Sequence, residues 1–340
     1  MPGEDGTWQH RTDNTSHSSF DPSRVTLIGN SRAYLAHEPP GMDEDGASSD
    51  TTVHEWGDVR YDRLRLLGRT LRWRMDISTV GCGCNAAVYL VSMPQPTNGS
   101  DSRYCDIQLT GDRRCLEIDL FEGNTKAARA TLHTQKGEAS DGTCNQWGCV
   151  QALGSGPGGG SNAFYGTGAT TGIDTSRPFE VECTFDENGN YHVLLTQDGR
   201  QTVLYDPTQA SNWPGVGVPI GATRASREAL LSGMVLVVSL WGGDMAWLDG
   251  GCNGYYPPCT LTASRLVVSQ LHVSHRPGQE PTTPANASNE ASASTGGDQG
   301  PAAAACEAWC QEVHCPYEPA KCGGCVVCGG SMNPGDSGLG

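Results

Sequence analysis

The sequence predicts an all-β protein, a two-sheet sandwich or jelly roll followed by a disordered linker and a small Cys-rich tail. Two observations lead there. From about residue 25 to about residue 275, apolar stretches of strand length alternate with Gly, Asn, Asp and Pro punctuation. Over the same span no helix-period pattern of comparable length occurs, so strands are not alternating with helices and long antiparallel strands remain.

Residues 1 to about 24 are polar and are expected to be disordered. The clearest strand runs from Leu71 to Ser78, where Leu71, Trp73, Met75 and Ile77 alternate with Arg72, Arg74, Asp76 and Ser78. One of its faces belongs to the core, the other to water or a ligand. Further strands are expected over 87–93, 116–121, 179–185, 191–196, 234–240 and 266–273. Asn188-Gly189, between the 179–185 and 191–196 strands, is a strong hairpin signal. Residues 276–305 hold almost no large apolar side chain and read as a linker. The tail, 306–340, carries six of the fifteen cysteines.

Composition excludes several functions. The 340 residues hold 38 acids against 22 bases, a net charge of −16 that repels nucleic acid and anionic membrane surfaces, and no basic patch compensates. No apolar run reaches the roughly 18 residues that a membrane-spanning helix requires; the longest, 234–240, has strand length. Fifteen cysteines and acceptor sequons at Asn14, Asn98 and Asn286 favour an exported, extracellular protein. No signal peptide is visible at the N-terminus, so the chain is expected to lack its true start or to leave by another route. There is no His-Glu-x-x-His zinc site, Gly-x-Ser-x-Gly elbow or Gly-x-x-x-x-Gly-Lys phosphate loop.

Candidate chemistry lies in Glu117-Ile118-Asp119-Leu120-Phe121-Glu122-Gly123-Asn124. Two carboxylates on one face of a rigid sheet are what glycoside hydrolysis needs, one as nucleophile and one as general acid and base. Glu117 and Asp119 share a strand face, but Glu122 has the wrong parity on a regular strand, and a single β-bulge would correct it. Four strand steps of about 3.3 Å, less two side chains of about 4 Å leaning together, then put the two carboxyls roughly 5 Å apart, the separation of a retaining enzyme. Three acids at these offsets arise by chance roughly once in two chains of this length and acid content, so the spacing alone does not separate a site from a solvated strand face.

The surrounding text resembles glycoside hydrolase family 7, the cellobiohydrolases and endoglucanases of cellulose breakdown. Glu117, Asp119, Glu122, Gly123 and Asn124 match its Glu-x-Asp-x-x-Glu strand, with Gly where Ala is usual. Gly81 to Tyr89 with Val91-Ser92-Met93, and Tyr104-Cys105-Asp106-Ile107-Gln108, are similar to two upstream segments. Ser232 to Trp241 and Met245 to Asp249 resemble a downstream pair. The resemblance covers about residues 25–275 and implies a concanavalin-like jelly roll with a glucan-binding cleft. It makes Glu117 the nucleophile, Glu122 the general acid and base, and Asp119 the neighbour that orients Glu117. It implies binding roles for Asn85, Tyr89, Asp106 and Gln108 around the cleavage point, for His133 beside the acid, and for Trp241 and Trp247 as sugar platforms. Ordinary core is the alternative for each indole, weaker for Trp241 than for Trp247. For catalysis Glu122 must hold a proton that Glu117 lacks, so Glu122 is expected to be pushed up while Glu117 stays ionised. No metal or cofactor is implied; the expected partner is cellulose or a related β-glucan, met by a monomer.

The departures matter as well. Only eight residues separate Gln108 from Glu117, where the family has a long cysteine-bridged insertion. After Cys144-Asn145-Gln146-Trp147-Gly148-Cys149 the family's Asn-Pro-Tyr-Arg run is absent, and with it an arginine for the product subsites. Short loops imply an open cleft, which favours internal cuts over processive release. The resemblance pairs Cys82 with Cys259 and Cys105 with Cys115; nine cysteines in the β region leave one free or paired elsewhere. The six tail cysteines suit either zinc or three disulfides, the blander reading, with Trp309 and Tyr317 available to a small glucan-binding module. Two rival functions stay open: a non-catalytic glucan-binding sandwich, and a hydrolase of mixed-linkage β-glucan like the family 16 sandwich enzymes, which share the bulged acid strand.

Overall fold

The computed structural model describes residues 7–11, 19–21, 24–37, 59–96, 102–134, 144–157, 163–212, 218–251 and 259–275. The linker, the Cys-rich tail with Trp309 and Tyr317, Cys252 and the three sequons lie outside the described residues.

Two antiparallel sheets face one another. Among the described residues the first, called the site sheet, has ten strands. Its central run is Ser31–His37, Met234–Gly242, Cys84–Val91, Glu117–Gly123, Ala127–His133 and Cys149–Gly154. The second, of seven strands, centres on Tyr191–Gln197, Phe179–Phe185, Arg69–Asp76 and Arg265–His275. All the expected strands are present.

Burial explains why the strands read differently in sequence. The outer sheet keeps one face in water, so Arg72 and Arg74 are exposed while Leu71, Trp73 and Met75 are buried. Every residue of Cys84–Val91 is buried, because a core lies on each side of it. Cys84, Ala86, Val88 and Leu90 join the inter-sheet core. Ala87, Tyr89 and Val91 join a second apolar cluster with Tyr34, Tyr61, Tyr104, Val235 and Val237 on the opposite face. A strand covered on both faces shows a continuous apolar run, which is how 234–240 reads.

Four features differ from the sequence reading or sharpen it. A helix, Ile220–Ser232, occupies a stretch that showed no helical pattern. Its buried stripe is Ala222, Ser226 and Leu230, two of them too small to register as apolar periodicity. It docks where the Ser226 hydroxyl donates to the Gly189 carbonyl (2.7 Å), and a Cβ at Gly189 (φ +86°) would lie 2.5 Å from the Arg227 nitrogen, so the hairpin glycine also admits the helix. Within the supposedly disordered 1–24, Thr7–Arg11 pairs with Ser31–His37 and Ser19–Asp21 pairs with Arg24–Ile28. Backbone pairing at a sheet edge needs no apolar pattern.

The disulfides correct one implied pair. Cys84, not Cys82, is bonded to Cys259. Strand parity decides it: Cys84 points into the inter-sheet core with Ala86 and Val88, and Cys259 packs there, while the Cys82 carbonyl accepts the Cys259 N–H (2.6 Å). Cys105–Cys115 is present as implied, Cys144 bonds Cys149, Cys82 is itself disulfide-bonded, and Cys183 is free and buried in the core. Gly123 has its own cause: a Cβ there would stand 2.8 Å from Phe121 Cζ and 3.0 Å from the Ala127 carbonyl.

Candidate active site

The acidic strand is bulged. Against Cys84–Val91, Tyr89 faces Asp119 and Val88 faces Phe121; against Ala127–His133, Thr131 faces Asp119 and Arg129 faces Glu122. Leu120 is therefore an extra residue, and both Leu120 and Phe121 turn into the core. The parity shift brings Glu117, Asp119 and Glu122 to one face, where all three line a cavity of about 570 Å³.

Each acid has its own partners. The Ile107 N–H donates to Glu117 Oε2 (3.1 Å), from a loop closed by the Cys105–Cys115 disulfide. Asn85 Nδ2 donates to Glu122 Oε1 at 2.8 Å. His133 Nε2 lies 3.2 Å from Asp119 Oδ2. Burial pushes all three carboxyls upward. Glu117 is pushed further by the negative charge of Asp119 and opposed by His133; Asp119 is pushed further by Glu122; Glu122 is opposed by Asn85 and Arg129. Glu117 and Glu122 are thus both raised by burial, rather than split into one raised and one ordinary carboxyl. Three acids on one face, two of them buried and the third partly so, repel one another strongly enough that they do not all stay charged.

The other candidate residues divide into two groups. Tyr89, Asp106, Gln108, His133, Trp241 and Trp247 line the cavity. Asn85 does not; it is fully buried and reaches the cavity only through its hydrogen bond to Glu122. Tyr89 is buried with its hydroxyl 3.1 Å from that of Tyr104, and Gln108 Nε2 donates to the Gln146 carbonyl (2.7 Å). Asp106 Oδ1 accepts the Gln108 and Leu109 N–H groups (2.8 and 2.9 Å), shaping the loop that presents Ile107. Trp247 is 37% exposed, so it is not ordinary core, and its ring lies 6.3 Å from that of Trp241.

Sequence reasoning passed over Arg32, Arg129, Thr131 and Tyr104, which also line the cavity. The Arg32 guanidinium carbon sits 3.7 Å above the Tyr104 ring, and that of Arg129 sits 5.2 Å above Trp247. For Arg129 and Thr131 a signal existed, since both share strand parity with His133. Nothing local marks Arg32, whose strand reaches the acids only through Met234–Gly242 and Cys84–Val91. Among the described residues no grouping of three or more His, Cys, Asp or Glu could hold a metal ion.

No family model matches the chain. It is 29% identical over 278 residues to a probable endo-β-1,4-glucanase of Aspergillus clavatus, covering 65% of this chain and 60% of that one. It is 32% identical over 276 residues to an endoglucanase EG-1 of Hypocrea jecorina, covering 71% of this chain and 57% of that one. The chain thus spans well under two thirds of these relatives' lengths. Among solved structures, a glycoside hydrolase family 7 cellobiohydrolase from Daphnia pulex superposes with a TM-score of 0.51 at 18% identity, over 77% of this chain and 80% of that one, which shows the jelly-roll fold.

Proposed function

We propose, from the likeness to curated endoglucanases and the shared fold with a glycoside hydrolase family 7 cellobiohydrolase, that the chain is a divergent relative of that family and a retaining β-1,4-glucan hydrolase, a cellulase working in an open cleft. The observation that carries the reading is the bulge at Leu120, which turns Glu117, Asp119 and Glu122 into one cavity.

In this reading the Glu117 carboxylate attacks the anomeric carbon while Glu122 gives its proton to the departing glycosidic oxygen. Water then enters, Glu122 takes its proton, and the Glu117–sugar bond breaks with the original anomeric configuration restored. The Ile107 N–H supports negative charge on Glu117 in the substrate complex. Asp119 and His133 hold a proton between them and position Glu117. Trp241 and Trp247 pack on the apolar faces of glucose rings. The short, disulfide-closed loop before Glu117 favours internal cuts, and several disulfides suit an extracellular place of action.

A product assay on carboxymethyl cellulose, crystalline cellulose and mixed-linkage glucan tests the reading, with the anomer of the first product followed by proton NMR. Rapid viscosity loss of carboxymethyl cellulose with β-anomer released first is expected. Binding to every glucan without turnover would leave a lectin, and turnover confined to mixed-linkage glucan would move the specificity.

A further inference from the structure

Trp147 is 67% exposed, yet it lines the cavity that holds the acids. An exposed indole on the wall of a concave site that also holds the acids offers apolar area that a ligand in the cleft can cover. The loop that carries it is tightly built. The Cys144–Cys149 disulfide closes a six-residue ring around it. Inside that ring the Trp147 N–H donates to Asn145 Oδ1 (2.8 Å) and the Gly148 N–H to the Asn145 carbonyl (2.9 Å). From outside, His133 Nδ1 meets the Asn145 carbonyl (3.0 Å) and Gln108 Nε2 donates to the Gln146 carbonyl (2.7 Å). Gly148, with φ +74°, lies so close to the sheet that a Cβ would fall 2.1 Å from Thr131 Cγ2. An aromatic ring displayed on a backbone pinned at this many points loses little freedom when it binds.

We propose that Trp147 is a further sugar platform, stacking one pyranose ring of a β-linked glucan at the end of the cleft away from Trp241 and Trp247. The registers place it there: its loop packs on His133, which pairs with Glu117, whereas Trp241 pairs with Asn85 beyond the Glu122 end of the acidic strand. The indole face supplies apolar area to the axial C–H face of the ring, and beside it the Gln146 side chain, with the Gln108 Oε1 that the loop bond leaves over, faces the same cavity and can meet hydroxyls. The proposal rests on the glucan-hydrolase reading and names a subsite for it. It also fits the shortened cleft, because one outer aromatic lengthens the footprint without a tunnel loop.

The test is binding of cellohexaose and cellobiose to the full chain carrying Glu117→Gln, so that turnover does not consume the ligand, read by calorimetry and by tryptophan fluorescence. Adding Trp147→Ala is expected to weaken cellohexaose by about 5- to 10-fold, to weaken cellobiose much less and to remove part of the ligand-induced fluorescence change, while Trp147→Phe keeps most of the affinity. Equal cellohexaose affinity with and without Trp147 overturns the platform and leaves the hydrolase reading standing. Failure of the Glu117→Gln chain to bind cellohexaose overturns both.

Discussion

His133 Nε2 stands 3.2 Å from Asp119 Oδ2 while its Nδ1 faces the Asn145 carbonyl at 3.0 Å. A carbonyl only accepts, so Nδ1 carries a hydrogen, and the Nε2 to Oδ2 contact is a hydrogen bond only if one proton lies in it. Burial and the charge of Glu122 raise Asp119 well above the usual carboxylate range. A raised acid binds more protons folded than unfolded, so its penalty is absent at low pH and grows as pH rises from its ordinary value toward its raised one. Asp119→Asn, which retains a donor for Nε2, should therefore stabilise the empty protein near neutral pH by about 0.5–2 kcal/mol and lower turnover on the order of tenfold. Denaturant melts at pH 4 and pH 7 check it; the gain should shrink at the lower pH.

Glu117→Gln should reduce turnover by about 10⁴-fold or more while glucan binding persists, because the amide keeps the shape and loses the nucleophile. Steady-state rates on carboxymethyl cellulose, alongside the binding measurement, check it. A variant hydrolysing at the wild-type rate would end the assignment.

Arg129 faces Glu122 across the strand pair, and its positive charge holds down both Glu122 and Asp119. Removing that charge in Arg129→Met lets Glu122 keep its proton to higher pH. The descending, alkaline limb of kcat/KM should move up by about half a unit to one unit, and Arg129→Lys should hold it in place. A full pH profile of each variant reads the shift.

Gly148→Ala puts a methyl group 2.1 Å from Thr131 Cγ2 and 2.7 Å from His133 Cε1 at a positive φ. The expected loss is about 2–4 kcal/mol of stability, with activity falling further as His133 leaves Asp119. Chemical denaturation and rates measured on the same preparation separate the two effects.

Legibility followed the range of the interaction. The strands at 71–78 and 179–196 announced themselves because each has one dry face and one wet one, a local periodicity of two. The helix at 220–232 was silent because its buried stripe is Ala, Ser and Leu. The acids are legible as a triplet, whereas Arg129 stands beside them only through the lateral pairing of its strand with Glu122. Asn85 looked like a ligand-facing residue and turned out to stand behind Glu122.

The sequence by itself determined the sheet-forming segments and which strand carries the acids, since both follow from side-chain type and spacing along one stretch of chain. Tertiary structure decided which acids share a face, which cysteine meets Cys259, and what surrounds each carboxyl. Those depend on lateral register between strands far apart in sequence. One extra residue at Leu120 reverses the parity of everything after it, and only pairing with the strands on either side reveals that it is there.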